Sequence, residues 1–66
     1  MKNFFIELTD KDGVKILLNV LHIAWIEPSK DGGVSIKSNM EHYSFPKKVR
    51  ESYDDIRALI KALDSD

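Results

Sequence analysis

Ile23-Ala24-Trp25-Ile26-Glu27-Pro28, then Ser29-Lys30-Asp31-Gly32-Gly33, then Val34-Ser35-Ile36-Lys37-Ser38, and, past Asn39-Met40, His42-Tyr43-Ser44-Phe45 form the stretch that decides the fold. Three short β-rich runs separated by turn residues make a meander. Asp31-Gly32-Gly33 is a hairpin signal, with glycines available where positive φ is required. Pro28 ends its strand or sits at an edge, because it has no N–H to give a ladder. Val34 and Ile36 face inwards, and Tyr43 and Phe45 supply the aromatic face of a fifth strand. Ile23 and Ile26 lie three apart, which fits a turn passing into a strand better than a regular strand. Trp25, the single tryptophan, is then either an outward-facing residue or one turned into the core by a bend.

Upstream, Phe4, Ile6 and Leu8 alternate with Phe5, Glu7 and Thr9, the period of a half-buried strand. Phe5 breaks the polar face. Asp10-Lys11-Asp12-Gly13 is a turn, with Gly13 suited to a left-handed position. Val14, Ile16 and Leu18 then alternate with Lys15, Leu17 and Asn19, so the first two strands form an antiparallel hairpin. Asn19 is placed to cap a single helical turn through Val20-Leu21-His22.

Downstream, Ser52 is a good N-cap, Asp55 follows three residues later, and Asp54 and Asp55 sit where the helix dipole favours negative charge. Tyr53, Ile56, Leu59, Ile60 and Leu63 fall on one face of a helix from Ser52 to Leu63. A rival start exists: Val49, Tyr53, Ile56, Ile60 and Leu63 follow a heptad seam, and Pro46 suits a first helical position. The architecture expected is α+β, a small antiparallel β-sheet or open barrel of about five short strands packed by one C-terminal helix.

The chain has 66 residues and no cysteine, one domain without disulfides or thiolate metal sites. A core of this size rarely supplies more than about 3–5 kcal/mol, which leaves self-association as the remaining source of stability. Ten Lys and Arg against eleven Asp and Glu give a net charge of −1, with no general pull towards nucleic acid or anionic membrane. Glu7 interrupts any signal-peptide core, and no apolar run is long enough to span a bilayer. A soluble, cytoplasmic protein is expected.

Several residues invite a chemical reading. The acid pairs Asp10/Asp12 and Asp54/Asp55 are explained by a turn and by the helix dipole, and the first has too few oxygens for a calcium loop. Asp31-Gly32-Gly33 lacks the lysine spacing of a phosphate loop. His22 and His42 share no nucleophile motif with any of the six serines, and so small a core scarcely encloses a pocket. No catalytic residue, metal or cofactor is therefore expected. Lys47, Lys48 and Arg50, with Tyr43 and Phe45 just upstream, resemble a single-strand nucleic-acid surface. The competing account makes the rings core and the lysines edge protection, and the charge balance favours it. Phe5 and Trp25 are the candidate interface residues.

The order of motifs resembles the small flagellar-operon proteins called FlbD or SwrD. Leu8-Thr9 with Asp12-Gly13 looks like that family's first hairpin. Leu18-Asn19, Ile23 and Ile26-Glu27 match its crossing segment. Val49-Arg50-Glu51-Ser52, with Ile56 and Ile60, resembles its Val-x-Glu-Ser entry into the last helix. This chain has Asn39-Met40 where the family has Asn-Gly, and a longer segment around Phe45-Pro46-Lys47-Lys48. The resemblance implies a cytoplasmic accessory protein of flagellar motor function, with no catalytic residue to carry across. Ile23 to Leu63 is also similar in pattern to LytTR-type DNA-binding domains. A non-catalytic module acting through protein–protein contact is thus the reading expected, with a nucleic-acid module using Lys47, Lys48 and Arg50 as its alternative.

Overall fold

A computed structural model describes residues 3–40 and 46–64. Its elements are β1 (Phe5–Thr9), β2 (Lys15–Asn19), a 3₁₀ turn (Val20–His22), β3 (Ile23–Pro28), β4 (Val34–Ser38), β5 (Lys47–Val49) and α1 (Tyr53–Ala62). They form the expected small α+β fold, with the strands divided between two antiparallel sheets. β1 and β2 make one, and β3, β4 and β5, in that order, make the other.

The first hairpin turns as its residues require. The Gly13 N–H donates to the Asp10 carbonyl at 3.1 Å, and Gly13 stands at φ +86. The Asp10 carboxylate accepts from the N–H groups of Asp12 and Val14, each at 2.9 Å, a closed Asx turn. In the ladder Glu7 faces Leu17 and Leu8 faces Ile16. Asn19 then caps the 3₁₀ turn, its side chain accepting from the Leu21 N–H at 2.9 Å.

β3 owes its odd spacing to a bulge. The register slips between Ile23 and Trp25, so that Ile23 faces Ser38 while Trp25 faces Lys37 and Ile26 faces Ile36. The extra residue restores the phase. Ile23 and Ile26 both pack against the core, and Trp25 stays outside with 43% of its surface exposed. The choice between core and surface is settled for the surface.

A strand appears where the sequence reading placed none. The strand expected at His42–Phe45 lies outside the described residues; β5 is Lys47–Val49, with Val49 facing Val34 and Lys47 facing Ile36. Pairing with β4 also removes the helix start at Pro46. α1 begins at Tyr53, and the Ser52 hydroxyl accepts from the Asp55 N–H at 3.1 Å.

Ile6, Leu8, Val34, Ile36, Val49 and Ile56 form the buried core, drawn from β1, β4, β5 and α1. Ile60 and Leu63 pack partly against it. The apolar stripe of α1 is narrower than the sequence suggests, since Tyr53 and Leu59 are both exposed. A sheet this small covers one ridge of a helix and leaves the flanks to solvent.

The two sheets are stitched at one corner. Asp10 bridges Val49, the Arg50 N–H donates to the Thr9 carbonyl at 2.8 Å, and the Thr9 N–H donates to Glu51 Oε1 at 2.8 Å. The strands therefore run β2, β1, then β5, β4, β3, with β2 and β3 at the outer edges.

Candidate surface for protein contact

The basic cluster is divided: Lys48 and Arg50 line one shallow cavity together with Lys11, and Lys47 lies apart from them. Lys47 lies on the side of β5 that carries Val49, whereas Lys48 lies on the opposite side, as strand alternation demands. Lys47 Nζ is 3.9 Å from Asp10 Oδ2, and Lys48 Nζ is 3.0 Å from Asp31 Oδ2. Arg50 Nη2 donates to the Lys11 carbonyl at 2.8 Å. Each cation meets an oxygen of a hairpin turn. Hydrogen bonds from the Ser29 hydroxyl, then from Lys48, hold the Asp31 carboxyl down at about 2. Tyr43 and Phe45, the rings expected beside these cations, lie outside the described residues.

Of the acid pairs, Asp10 has its carboxylate engaged by the backbone of its own turn. Hydrogen bonding from the Val14 N–H is the largest of the influences that lower the Asp10 pKa. Asp54 and Asp55 occupy the first turn of α1. His22 ends the 3₁₀ turn and is exposed, while His42 lies outside the described residues. Among the described residues, no three His, Cys, Asp or Glu side chains gather to hold a metal.

The apolar surface is the more developed feature. Phe5 is 46% exposed and Leu17 68% exposed. The ladder places them on the same outer face of the first hairpin, Phe5 opposite Asn19 and Leu17 opposite Glu7. A Lys15–Glu7 pair at 3.9 Å shares that face. Beside it a groove of about 300 Å³ is lined by Phe5, Leu17, Leu18, His22, Ile36 and Met40. Trp25 stands apart, on the outer face of the second sheet. The structure thus exposes both candidate interface residues but puts them on different sheets.

Leu17 is the member of this surface that a reading of exposed aromatics passes over. Its signal lies in the alternation: with Lys15 and Asn19 outside, Leu17 has to be outside as well. No helix among the described residues is long and apolar enough to cross a membrane. No family model matches this chain, and no curated protein or solved structure was found to be similar to it.

Proposed function

We propose that this domain is a non-catalytic accessory or assembly module that works through protein–protein contact, self-association included. One observation carries the reading: Phe5, Leu17 and Trp25, between 43% and 68% exposed, lie on outer sheet faces where the fold has no use for them. Phe5 and Leu17 share one face with a groove beside it, and apolar side chains so placed are what a protein partner covers. The engagement of Lys47, Lys48 and Arg50 by turn oxygens weighs against a phosphate-binding role. The resemblance to FlbD and SwrD points the same way, towards an accessory protein of the flagellar motor.

Sedimentation across a hundredfold concentration range tests the proposal, with thermal melts alongside. We expect the weight-average mass and Tm to rise together with concentration, by mass action. Raised salt should leave the association in place, whereas phosphate contacts would weaken steeply. A monomer with a concentration-independent Tm throughout overturns self-association.

A further inference from the structure

We infer that the occupant of the β2 edge is β2 of a second copy, paired antiparallel about a twofold axis through Leu17. The inference rests on the self-association proposed above and specifies its geometry.

The two outer edges of the strand array differ in how they are guarded. β3 carries Pro28, which has no N–H to offer, and the bulge between Ile23 and Trp25. Both devices blunt an edge against further pairing. β2 has neither. It is five residues of regular ladder with one lysine, and among the described residues no strand pairs with its other side.

The hydrogen-bond phase of the first hairpin shows which groups that edge presents. The Asp10 N–H donates to the Val14 carbonyl at 2.9 Å, and the Val20 N–H donates to the Phe4 carbonyl at 2.7 Å. These two contacts bracket the ladder. Alternation between them turns the backbone groups of Ile16 and Leu18 towards β1 and those of Lys15, Leu17 and Asn19 outwards. The residues that offer their backbone at the edge are therefore the ones whose side chains stand on the exposed face.

A twofold through Leu17 suits this arrangement. Leu17 meets Leu17 of the second copy, and each Lys15 meets an Asn19, so no like charges are opposed. On the groove side, Leu18 of the second copy faces Ile16, and the two apolar grooves become neighbours. Two separate hairpins join into one four-stranded sheet, with the outward backbone groups of Leu17 from both copies paired at its centre. A slip of one residue would oppose Lys15 with Leu18 and turn inner side chains against outer ones.

The test uses Leu17→Lys and Leu17→Cys in the full chain. Leu17 is exposed, so both variants should keep the wild-type circular dichroism. Leu17→Lys sets two ammonium groups face to face and should raise the dimer dissociation constant by about tenfold or more. Directly paired residues of this kind have Cα atoms about 5.5 Å apart, within disulfide range. The protein has no cysteine of its own, so mild oxidation of Leu17→Cys should give a single covalent dimer. Trp25→Cys, on the other sheet, should not cross-link. If the wild type associates but Leu17→Lys does too, and Leu17→Cys stays uncoupled, the β2 pairing is wrong and self-association stands. A monomeric wild type overturns both.

Discussion

Thr9 and Glu51, forty-two positions apart, hold the two sheets together: the Thr9 N–H donates to Glu51 Oε1 at 2.8 Å. The Thr9 carbonyl in turn accepts from the Arg50 N–H at 2.8 Å. Glu51 therefore does at the end of β1 what a neighbouring strand would do, giving the last N–H a partner where the ladder stops. It also stands immediately before the Ser52 cap, so the segment that joins the sheets also launches α1.

Removing the Glu51 carboxylate should leave a part-buried N–H without a partner, at a cost of about 1–3 kcal/mol. Glu51→Ala is expected to fall in that range in urea denaturation. Glu51→Gln retains an acceptor oxygen and should lose less. A loss below about 0.5 kcal/mol in the alanine variant would show that water replaces the carboxylate without penalty.

The same contact gives stability a direction in acid. Burial pushes the Glu51 carboxyl up, but hydrogen bonds from the Thr9 N–H, the Glu51 N–H and the Thr9 hydroxyl outweigh it, and its pKa is lowered. Asp10 is lowered by the Val14 and Asp12 N–H groups, and Asp31 lies at about 2 instead of 3.8. As pH falls, the unfolded chain protonates these groups first. It then binds more protons than the folded chain, and stability drops. The contribution is fully present above the ordinary carboxyl range and disappears as pH passes through the lowered folded values. Asp31 is exposed to solvent, which screens its share, whereas Asp10 is half-buried. We expect urea midpoints to decline below about pH 4, and to decline less steeply in Glu51→Gln. An unchanged slope in that variant would assign the acid sensitivity to the two turn aspartates.

Much of this fold was legible where local chemistry decides it. Gly13 with Asp10, Asn19 before the 3₁₀ turn and Ser52 before α1 each act within a few residues, and each does what its type and position require. What escaped the sequence depends on distant partners. Lys47-Lys48-Val49 has one apolar residue and too few positions to show a period, and it becomes a strand only through pairing with Val34 to Ile36. The Val49 heptad spacing was real but belonged to a strand residue that reaches the same core. The exposure of Phe5 and Trp25 could be anticipated as alternatives. That the two occupy different sheets could not, because the division of the strands is set by tertiary pairing.

The helix face offers a graded test of packing. Ile56 is fully buried, while Ile60 only packs against the rim of the core. Ile56→Ala should cost about 2–5 kcal/mol, enough to unfold much of a domain with so small a core. Ile60→Ala should cost clearly less, and Leu59→Ala, at 38% exposure, less again. Chemical denaturation of the three variants would show the order. Equal losses at Ile56 and Ile60 would mean that α1 turns a different face to the core.

Two glycines should fail for different reasons, and the difference is measurable. Gly13 sits at φ +86, but a Cβ there would meet only the Arg50 guanidinium, at 3.8 Å or more. Its alanine variant carries backbone strain alone, about 1–2 kcal/mol. Gly33 has no positive φ, yet a Cβ on it would lie 2.5 Å from the Val49 carbonyl oxygen. Neither atom can rotate away, because Val49 is held in register against Val34. Gly33→Ala must therefore push β5 off β4 or distort the Ser29–Gly33 turn, whose Ser29 N–H donates to the Gly33 carbonyl at 2.8 Å. We expect it to destabilise the domain more than Gly13→Ala. Hydrogen exchange should also speed up at Val49 and its β4 partners in Gly33→Ala, and remain unchanged there in Gly13→Ala. If Gly33→Ala is the milder of the two, β5 yields to the added carbon and its register against β4 is not what fixes the turn.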